Sequence, residues 1–325
     1  MVEYRHQATA LASNNEGFAL IVVMVVLLLT SFLASELIFD VRTEQRIALN
    51  AKERERAAML SAAGINIALF RLMDKPVDFE AEAEFGTLLP GRQYTTFLEN
   101  GKVSYYAANE SGKIDLNVTP PGLLELFLQF QGLTGEQVSV VADSLLDWKD
   151  TDALNRLNGA EQEYYQALPE PYIPRNGRIE DPAEFFLIRG TGPLYGRFEL
   201  MDVFTVNNTE KKINFNSLTP AMLDFVVDRD EDRRKAYYEA KEASANLNPA
   251  HARQILGDER YALFEPFLGY SEGGASRMYS IVATAETGVT EKANDRQQSV
   301  SLTIHALVRL LANGYQVLSW KEQYS

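Results

Sequence analysis

The chain has 325 residues, a formal net charge of −14, a hydrophobic fraction of 46% and no cysteine. This length suits a membrane segment followed by one large domain or two modest ones, and the hydrophobic fraction is that of a folded protein. The acidity argues against a nucleic-acid-binding protein, because phosphate binding needs a basic face, and the absence of cysteine excludes disulfides and thiolate metal sites. The three histidines leave little material for a histidine-based zinc or catalytic site.

An uncharged apolar run covers residues 18–34, where twelve of the seventeen residues are Leu, Ile, Val or Phe. Insertion of those side chains into a bilayer is favoured by about 4–7 kcal/mol. A cleavable secretory signal peptide is the alternative interpretation. The run is longer than the usual apolar stretch of about 7–15 residues, and no A-x-A-like cleavage site directly follows it. The run therefore predicts a retained membrane helix.

The helical pattern continues beyond the apolar run, because residues 41–73 contain no proline and a single glycine, Gly64. Ala63, Ile67 and Phe70 are spaced to share one face of a helix. We therefore expect one continuous helix over residues 18–75 that starts in the membrane and ends near Pro76.

The three residues before and at the start of the apolar run are Glu16, Gly17 and Phe18. A short polar leader that ends in glycine, followed by Phe and a long uncharged helix, resembles the type IV prepilin signal. This resemblance implies that a prepilin peptidase cleaves after Gly17 and methylates the new N-terminal Phe18. Residues 1–17 would then be a leader that is removed on the cytoplasmic side.

Two features depart from the usual prepilin pattern. The fifth position after the implied cleavage is Val22, whereas pilins that build shafts carry glutamate there, and this difference favours a subunit at the end of a filament. Arg5 is the sole basic residue before the run, and five lie within residues 42–56. The positive-inside rule alone would place the N-terminus outside, whereas the prepilin resemblance implies a cytoplasmic N-terminus.

Strand-like segments lie on both sides of a long helical region. Polar and apolar residues alternate through residues 92–117, and Asn100-Gly101 predicts a hairpin turn there. Residues 278–285, 300–311 and 316–320 are also strand-like, whereas residues 119–269 are mostly helical. We therefore predict an α+β fold: a long N-terminal helix packs on an antiparallel sheet, and a large, mainly helical domain is inserted between the early and late strands.

The helical region contains a partial repeat. The KIDLN sequence at residues 113–117 recurs as KINFN at residues 212–216, and Pro121 matches Pro220. A short strand, a polar turn and a helix opened by proline would produce this spacing. A pair of DNA-binding helix-hairpin-helix motifs is the functional alternative, but the acidity favours a structural duplication.

A loop rich in acidic residues reads LLDWKDTDALNRLNGAEQEYY over residues 145–165. Its five carboxylates belong to Asp147, Asp150, Asp152, Glu161 and Glu163. Calcium takes about six to eight oxygen ligands from loops of this kind. The loop is not an EF-hand, because Leu154 and Asn155 stand where that motif has an oxygen ligand and a glycine. On spacing alone, the sequence favours a solvated acidic loop over a calcium site, and both alternatives stay open.

Several segments together resemble the K class of type II secretion minor pseudopilins, the general secretion pathway protein K family. They are the prepilin start, RTEQRIA and AAMLSAAGINIALFRL in the helix, KIDLN, LLDWKDTD with NGAEQEYY, and FFLIRG followed by KINFN. The resemblance implies that the acidic loop binds calcium. The implied ligands are Asp147, Asp150, Asp152 and Glu161, together with Glu163.

The resemblance also implies the domain plan and the role. The implied segments are a leader (1–17), a transmembrane and pilin helix (18–75), the first strands (76–117), an inserted helical domain (118–270) and the C-terminal strands (271–325). The chain would be a single-pass inner-membrane protein with its C-terminal domain in the periplasm. It would act at the pseudopilus tip, initiating assembly and aiding export of folded proteins across the outer membrane. The implied partners are other minor pseudopilins, the major pseudopilin and the prepilin peptidase.

Three other functions were weighed against this one. A minor pilin of a type IV pilus shares the same anchor, and a membrane-tethered DNA-binding module would rest on the repeat. A membrane-anchored hydrolase is disfavoured, because the sequence has no G-x-S-x-G, H-E-x-x-H or P-loop pattern. We therefore expect a protein that is not an enzyme and does not bind nucleic acid.

Overall fold

The computed structural model describes residues 15–73, 88–89, 91–98, 101–208, 210–244, 246–271, 277–288 and 300–324. It divides into two units, Met1–Glu55 and Arg56–Ser325. Residues 1–14 of the predicted leader, Asn100 of the predicted hairpin turn and Pro76 at the predicted helix end lie outside the described residues.

The first helix, α1 (Asn15–Met73), is continuous, as the sequence predicts. Within the first unit, the side chains of residues 18–52 are exposed, including the whole apolar run. Among the described residues, the stretch Phe18–Met73 is the one helix long and apolar enough to span a membrane, with a mean hydropathy of 2.7 in its most apolar window. Such exposure of apolar side chains is what a lipid-facing or partner-facing helix requires.

Eight shorter helices follow α1. They are α2 (Pro121–Phe130), α3 (Gly135–Lys149), α4 (Gln162–Gln166), α5 (Leu200–Val203), α6 (Pro220–Val227), α7 (Glu231–Ala243), α8 (Pro249–Leu256) and α9 (Asp258–Phe264) among the described residues. The strands are β1 (Tyr94–Leu98), β2 (Gly101–Asn109), β3 (Ile114–Asp115), β4 (Phe204–Thr205), β5 (Ile213–Asn214), β6 (Leu268–Gly269), β7 (Met278–Thr287), β8 (Ser301–Leu311) and β9 (Gly314–Tyr324).

The main sheet has five strands in the order β1-β2-β7-β8-β9, and each neighbouring pair is antiparallel. Asn109 at the end of β2 pairs with Tyr279 near the start of β7. The long segment between these two strands therefore leaves and re-enters the sheet at one place. The predicted α+β fold with a helical insertion is confirmed.

The C-terminal part of α1 packs on one face of this sheet. Its buried apolar residues are Ala57, Ile65, Ala68 and Leu69. Ala63, Ile67 and Phe70 share one side of α1, as their spacing predicts, but the side that packs on the sheet is a different one, because Phe70 is 55% exposed. Small residues decide the orientation: a Cβ on Gly64 would lie 2.5 Å from Val103 Cγ1, so the helix approaches β2 closely at this position.

The inserted domain has its own hydrophobic core, separate from the core under α1. Phe127 lies near its centre, with ring centroids 5.1–5.5 Å from those of Phe198, Phe204 and Phe225 in edge-to-face arrangements. These contacts join α2 to α6 and to strand β4. The insertion is therefore a packed domain and not an elaborated loop.

The predicted repeat is a structural duplication. Strands β3 and β5 are each two residues long, and each pairs in parallel with another short strand. Asp115 Oδ1 accepts from the backbone N–H of Asn117 at 2.7 Å, and Asn214 Oδ1 accepts from that of Asn216 at 3.0 Å. Helices α2 and α6 follow, each with proline at its first position. The predicted strand, turn and proline-opened helix are therefore confirmed in both copies.

One boundary differs from the prediction. Residues 76–117 were assigned to the first strands of the sheet, but β2 ends at Asn109 and β3 pairs with β4 inside the inserted domain. The polar alternation that suggested a sheet strand here belongs instead to the first copy of the repeat. The insertion therefore begins soon after Asn109.

A buried polar network joins the inserted domain to the sheet. Glu110 Oε1 accepts from Lys113 Nζ and from Ser280 Oγ of β7, both at 2.6 Å. The other carboxylate oxygen of Glu110 accepts from Thr205 Oγ1 of β4 at 2.5 Å. Both oxygens of this buried carboxylate are thus bonded, which fixes the two domains at their junction.

Candidate metal centre

Helix α3 leads directly into the acidic loop. A capping box between Thr134 and Gln137 starts the helix, and Asp150 caps its C-terminal end. Asp143 and Asp147 stand one turn apart on the helix, so they project from the same face. The loop then runs to Glu161, which is the N-cap of α4. Two helix ends therefore hold the two ends of the loop.

Three of the five predicted ligands come together. Asp150, Asp152 and Glu161 each place a carboxylate oxygen within 4.8 Å of the other two. Glu161 is only 4% exposed, Asp150 is half-buried, and Asp152 is exposed. The cluster therefore has a buried wall and an open side through which an ion could enter.

The donor atoms of this cluster fit a hard cation. Both carboxylate oxygens of Glu161 and the Oδ1 atom of Asp150 are buried without a hydrogen-bond partner among the described residues. Buried carboxylate oxygens normally receive hydrogen bonds or bind metal. Oxygen donors from carboxylates are the ligands that calcium prefers. These residues would supply three of the several oxygens that such an ion needs.

Asp147 is adjacent to the cluster but is already paired. It is completely buried, and its Oδ1 accepts from Arg156 Nη1 at 2.5 Å. The same guanidinium nitrogen reaches Asp150 Oδ2, also at 2.5 Å. Arg156 therefore neutralises part of the negative charge beside the cluster, and Asp147 is paired with Arg156 while the three-residue group forms without it.

Glu163 does not join the other carboxylates. It lies in the first turn of α4, its side chain is exposed, and it is not part of the three-residue group. Its negative charge interacts favourably with the positive N-terminal end of the α4 dipole and does not contribute to the cluster.

The electrostatic surroundings of Glu161 show the cost of gathering these charges. Burial raises the pKa of its carboxyl, and Asp147, Asp150 and Asp152 raise it further. Arg156 opposes this effect but does not reverse it. The cluster thus concentrates more negative charge than its own residues neutralise, which is the arrangement that a bound cation stabilises.

Part of this chain is similar to known secretion proteins. Residues 107–197 match the family model described as type II secretion system protein K. A curated type II secretion system protein K from Pectobacterium carotovorum subsp. carotovorum is 32% identical over 101 residues, which cover 31% of this chain and 30% of that relative. Residues 107–197 form a protein K domain. The resemblance predicted from the sequence is confirmed.

A solved structure extends this likeness to the fold. A chain in the crystal structure of the GspK-GspI-GspJ complex from the type 2 secretion system of enterotoxigenic Escherichia coli has a TM-score of 0.52 and 16% identity. The match covers 87% of this chain and 98% of that one. At this identity the match shows the fold alone. The protein K domain contains the whole acidic loop and helices α2 to α4.

Several residues that shape the loop were not foreseen from the sequence. Arg156 was not predicted to bridge two carboxylates, and Asp143 was not considered. Asp143 Oδ2 accepts from the backbone N–H of Asn158 at 3.1 Å and from its Nδ2 at 2.9 Å, which ties the loop back to α3. The one-turn spacing of Asp143 and Asp147 could have indicated this role.

Gly159 is a further residue whose role the structure reveals. A Cβ at this position would lie 1.9 Å from Asp147 Oδ2, so only glycine lets the backbone pass beside that buried carboxylate. Gly159 O also accepts from Arg189 Nη1 at 2.9 Å. The NG sequence at residues 158–159 therefore positions the loop against Asp147.

The predicted processing residues lie in the first unit. Gly17 is part of α1, and Phe18 is the first residue of the exposed apolar stretch, with 71% of its surface accessible. Cleavage after Gly17 and methylation of Phe18 stay predictions.

Proposed function

We propose that this chain is a minor pseudopilin at the tip of the type II secretion pseudopilus. There it initiates pseudopilus assembly and aids the export of folded proteins across the outer membrane. The observation that carries the proposal is a protein K domain inserted into a scaffold of one long helix and an antiparallel sheet. The match is to type II secretion proteins, which favours this role over that of a type IV minor pilin.

The proposal includes a single-pass anchor in the inner membrane, with the domain after the helix in the periplasm. Prepilin peptidase would cleave between Gly17 and Phe18, and Phe18 would be methylated. The exposed, uncharged surface of α1 over residues 18–34 supports the anchor, since this part of the helix could lie first in lipid and then against neighbouring pilin helices.

The tip position rests on the insertion and on one missing charge. The protein K domain and its helices stand between β2 and β7, and repeating such a domain along a shaft would crowd neighbouring subunits. Val22 lacks the carboxylate that shaft pilins present at this position. The partners would be two other minor pseudopilins, as in the related GspK-GspI-GspJ complex, and the major pseudopilin below them.

Calcium bound by Asp150, Asp152 and Glu161 is part of the proposal. It would neutralise the carboxylates and hold the loop between α3 and α4. In a chain without cysteine, such an ion would tie the C-terminal end of α3 to the start of α4. The chain would therefore act by assembly, and the metal would stabilise the fold rather than take part in a reaction.

Processing is tested by the mass of the mature chain in membranes. The wild type should begin at a methylated Phe18, and Gly17→Trp should remain uncleaved because the peptidase site has no room for the larger side chain. Ser13→Trp, a bulky change elsewhere in the leader, serves as the control and should be cleaved normally. A Gly17→Trp chain that still begins at Phe18 would overturn the leader assignment.

The role of the insertion is tested by deleting it between β2 and β7, where the two strands are paired and a short turn can join them. Because Asn109 and Tyr279 are paired, an Asn-Gly turn replacing residues 110–278 should close β2 onto β7 without disturbing α1. This variant should still be processed and inserted in the membrane but should fail to secrete exoproteins. Normal secretion by such a variant would contradict the tip role.

A further inference from the structure

Strand β9 has an apolar stripe, formed by Tyr315, Val317 and Trp320, on one side. These side chains are 44%, 43% and 42% exposed. The other side of the strand is polar and carries Gln316, Ser319, Lys321 and Gln323. Strands at the edge of a sheet usually avoid such exposed aromatic residues.

The register shows which face of the sheet the stripe belongs to. Val317 pairs with Val308, and Trp320 pairs with Ala306, across the bulge in the β8–β9 pairing. Directly paired side chains lie on the same face of an antiparallel sheet. Since Ala306 and Val308 are buried in the core under α1, the stripe continues the helix-facing side of the sheet.

Among the described residues of the second unit, β9 contributes none to the core under α1. The core under α1 contains residues of β2, β7 and β8, and a helix about 10 Å wide covers about two strands spaced about 4.8 Å apart. Along α1, Leu60 lies against Gly101 of β2 and Ser61 bonds the carbonyl of Leu302 on β8. Each residue advances about 100° around the helix, so Ala62 and, one turn earlier, Ala58 lie on the flank nearest β9.

We propose that the β9 stripe is the docking site for the helix of a neighbouring minor pseudopilin, lying beside α1. This inference rests on the proposed function, which supplies partners of the pilin type. Packed helices lie about 8–10 Å apart, which places a second helix over β9, and the small side chains of Ala58 and Ala62 leave room for it. The intramolecular helix-on-sheet core would then continue into the assembly.

Charge and area add to the description of this occupant. Glu322 pairs with Ile304, so its carboxylate lies on the same face as the stripe, where it accepts from Trp320 Nε1 at 3.0 Å. The docked helix should therefore carry a Lys or Arg near Trp320.

The two half-exposed aromatic rings offer about 200 Å² of surface, about a quarter of what one partner buries in a standard interface, so contacts between membrane helices must supply the rest. Trp and Tyr are the residue types that most often dominate binding energy.

Photo-crosslinking in membranes of the native host, with the full chain and its companion pseudopilins, tests this docking. Replacing Trp320 with p-benzoylphenylalanine should yield an adduct to a helical peptide of another minor pseudopilin. The same photoreactive residue at Gln323, on the polar side of β9, should give at most a tenth of that yield. An adduct to a second copy of this chain, to a partner strand, or with equal yield at Gln323 would overturn the proposal.

A binding variant separates this inference from the proposed function. Trp320→Glu should reduce co-purification of the other minor pseudopilins at least tenfold. The remaining tryptophan, Trp148, is buried in the insertion and its emission reports on that domain alone, so an unchanged far-UV circular dichroism spectrum and urea unfolding curve would show that the sheet of this variant is also folded. Undiminished co-purification by Trp320→Glu overturns the docking site alone, whereas failure of the wild type to co-purify overturns the proposed function.

Discussion

Glu110 and Glu161 are buried to almost the same degree, with 2% and 4% exposure, but lie in opposite electrostatic surroundings. Glu110 has bonding partners on both oxygens, including the Lys113 ammonium group. Glu161 has no hydrogen-bond partner on either oxygen among the described residues and faces other carboxylates. The first lies at the junction of the two domains, and the second lies in the acidic loop.

This difference indicates that the junction at Glu110 is stable by itself, whereas we expect the acidic loop at Glu161 to need a bound cation. The junction contains its own counter-charge, so its geometry needs no further component. Among the described residues, Arg156 forms the ion pairs of Asp147 and Asp150, and none is formed by Asp152 or Glu161, so the geometry of the acidic loop depends on what neutralises these two carboxylates. We therefore expect the sheet and the junction to fold without metal, and the loop to become fully ordered only with a cation.

Breaking the junction should have the largest effect. Lys113→Met leaves the Glu110 carboxylate buried without its counter-charge, which should lower the free energy of unfolding by about 3–5 kcal/mol. Urea unfolding of the purified chain in detergent measures this loss. The double variant Lys113→Met with Glu110→Gln removes both charges and should recover most of the stability. Equal losses in the single and double variants would show that the ion pair does not matter.

Calcium removal should come next in size and should act on the loop alone. A ligand present at about one hundred times its Kd stabilises a protein by about 2.7 kcal/mol, so chelation should lower the Tm by a corresponding amount. Glu161→Gln should abolish this calcium-dependent shift, while Glu163→Gln, at an exposed position outside the cluster, should retain it. An identical melting curve with and without chelator would remove calcium from the account.

A glycine substitution tests how tightly the loop is held against Asp147. Gly159→Ala would force the buried carboxylate away from its position and should cost about 1–3 kcal/mol. Calcium affinity, measured by isothermal titration, should also fall, because Asp150 shares Arg156 with Asp147. Gly135→Ala at the start of α3, where a Cβ meets no atom within 4 Å, is the control. Full affinity in Gly159→Ala would show that Asp147 does not shape the site.

The smallest expected effect is a pH dependence of the stability, caused by the partly buried side chain of His305 on β8. Burial lowers the pKa of His305 below its usual value, although Glu199 and Asp202 oppose the shift. The unfolded chain therefore binds a proton at a higher pH than the folded chain does. Stability should fall as the pH drops below about 6.5. His305→Gln should lose less stability between pH 7 and pH 5 than the wild type in urea titrations. Parallel pH profiles would refute this assignment.

The sequence was informative where a pattern has a single structural solution. The apolar run and its helical continuation predicted α1, alternation predicted the strands, and the repeat at residues 113–117 and 212–216 predicted two equivalent strand–helix units. The rotation of α1 was missed, because the close approach at Gly64 outweighs the size of Phe70. Strand β9 is also longer than its predicted core at residues 316–320.

The candidate metal centre was predictable in composition but not in geometry. Five acidic residues predicted a metal-binding loop, and three of them place their carboxylates close together. Which carboxylates remain available depends on where Arg156 reaches and on how the backbone passes Gly159. Both are tertiary contacts that spacing along the chain does not encode.

We propose that this chain assembles with other minor pseudopilins through a pilin scaffold that carries a protein K domain. The intact mass of the complex, isolated from native membranes with an affinity-tagged full-length chain, tests this assembly. We expect one copy of this chain with two other minor pseudopilins in a fixed ratio. A chain recovered alone, while those pseudopilins assemble without it, would overturn the proposed function.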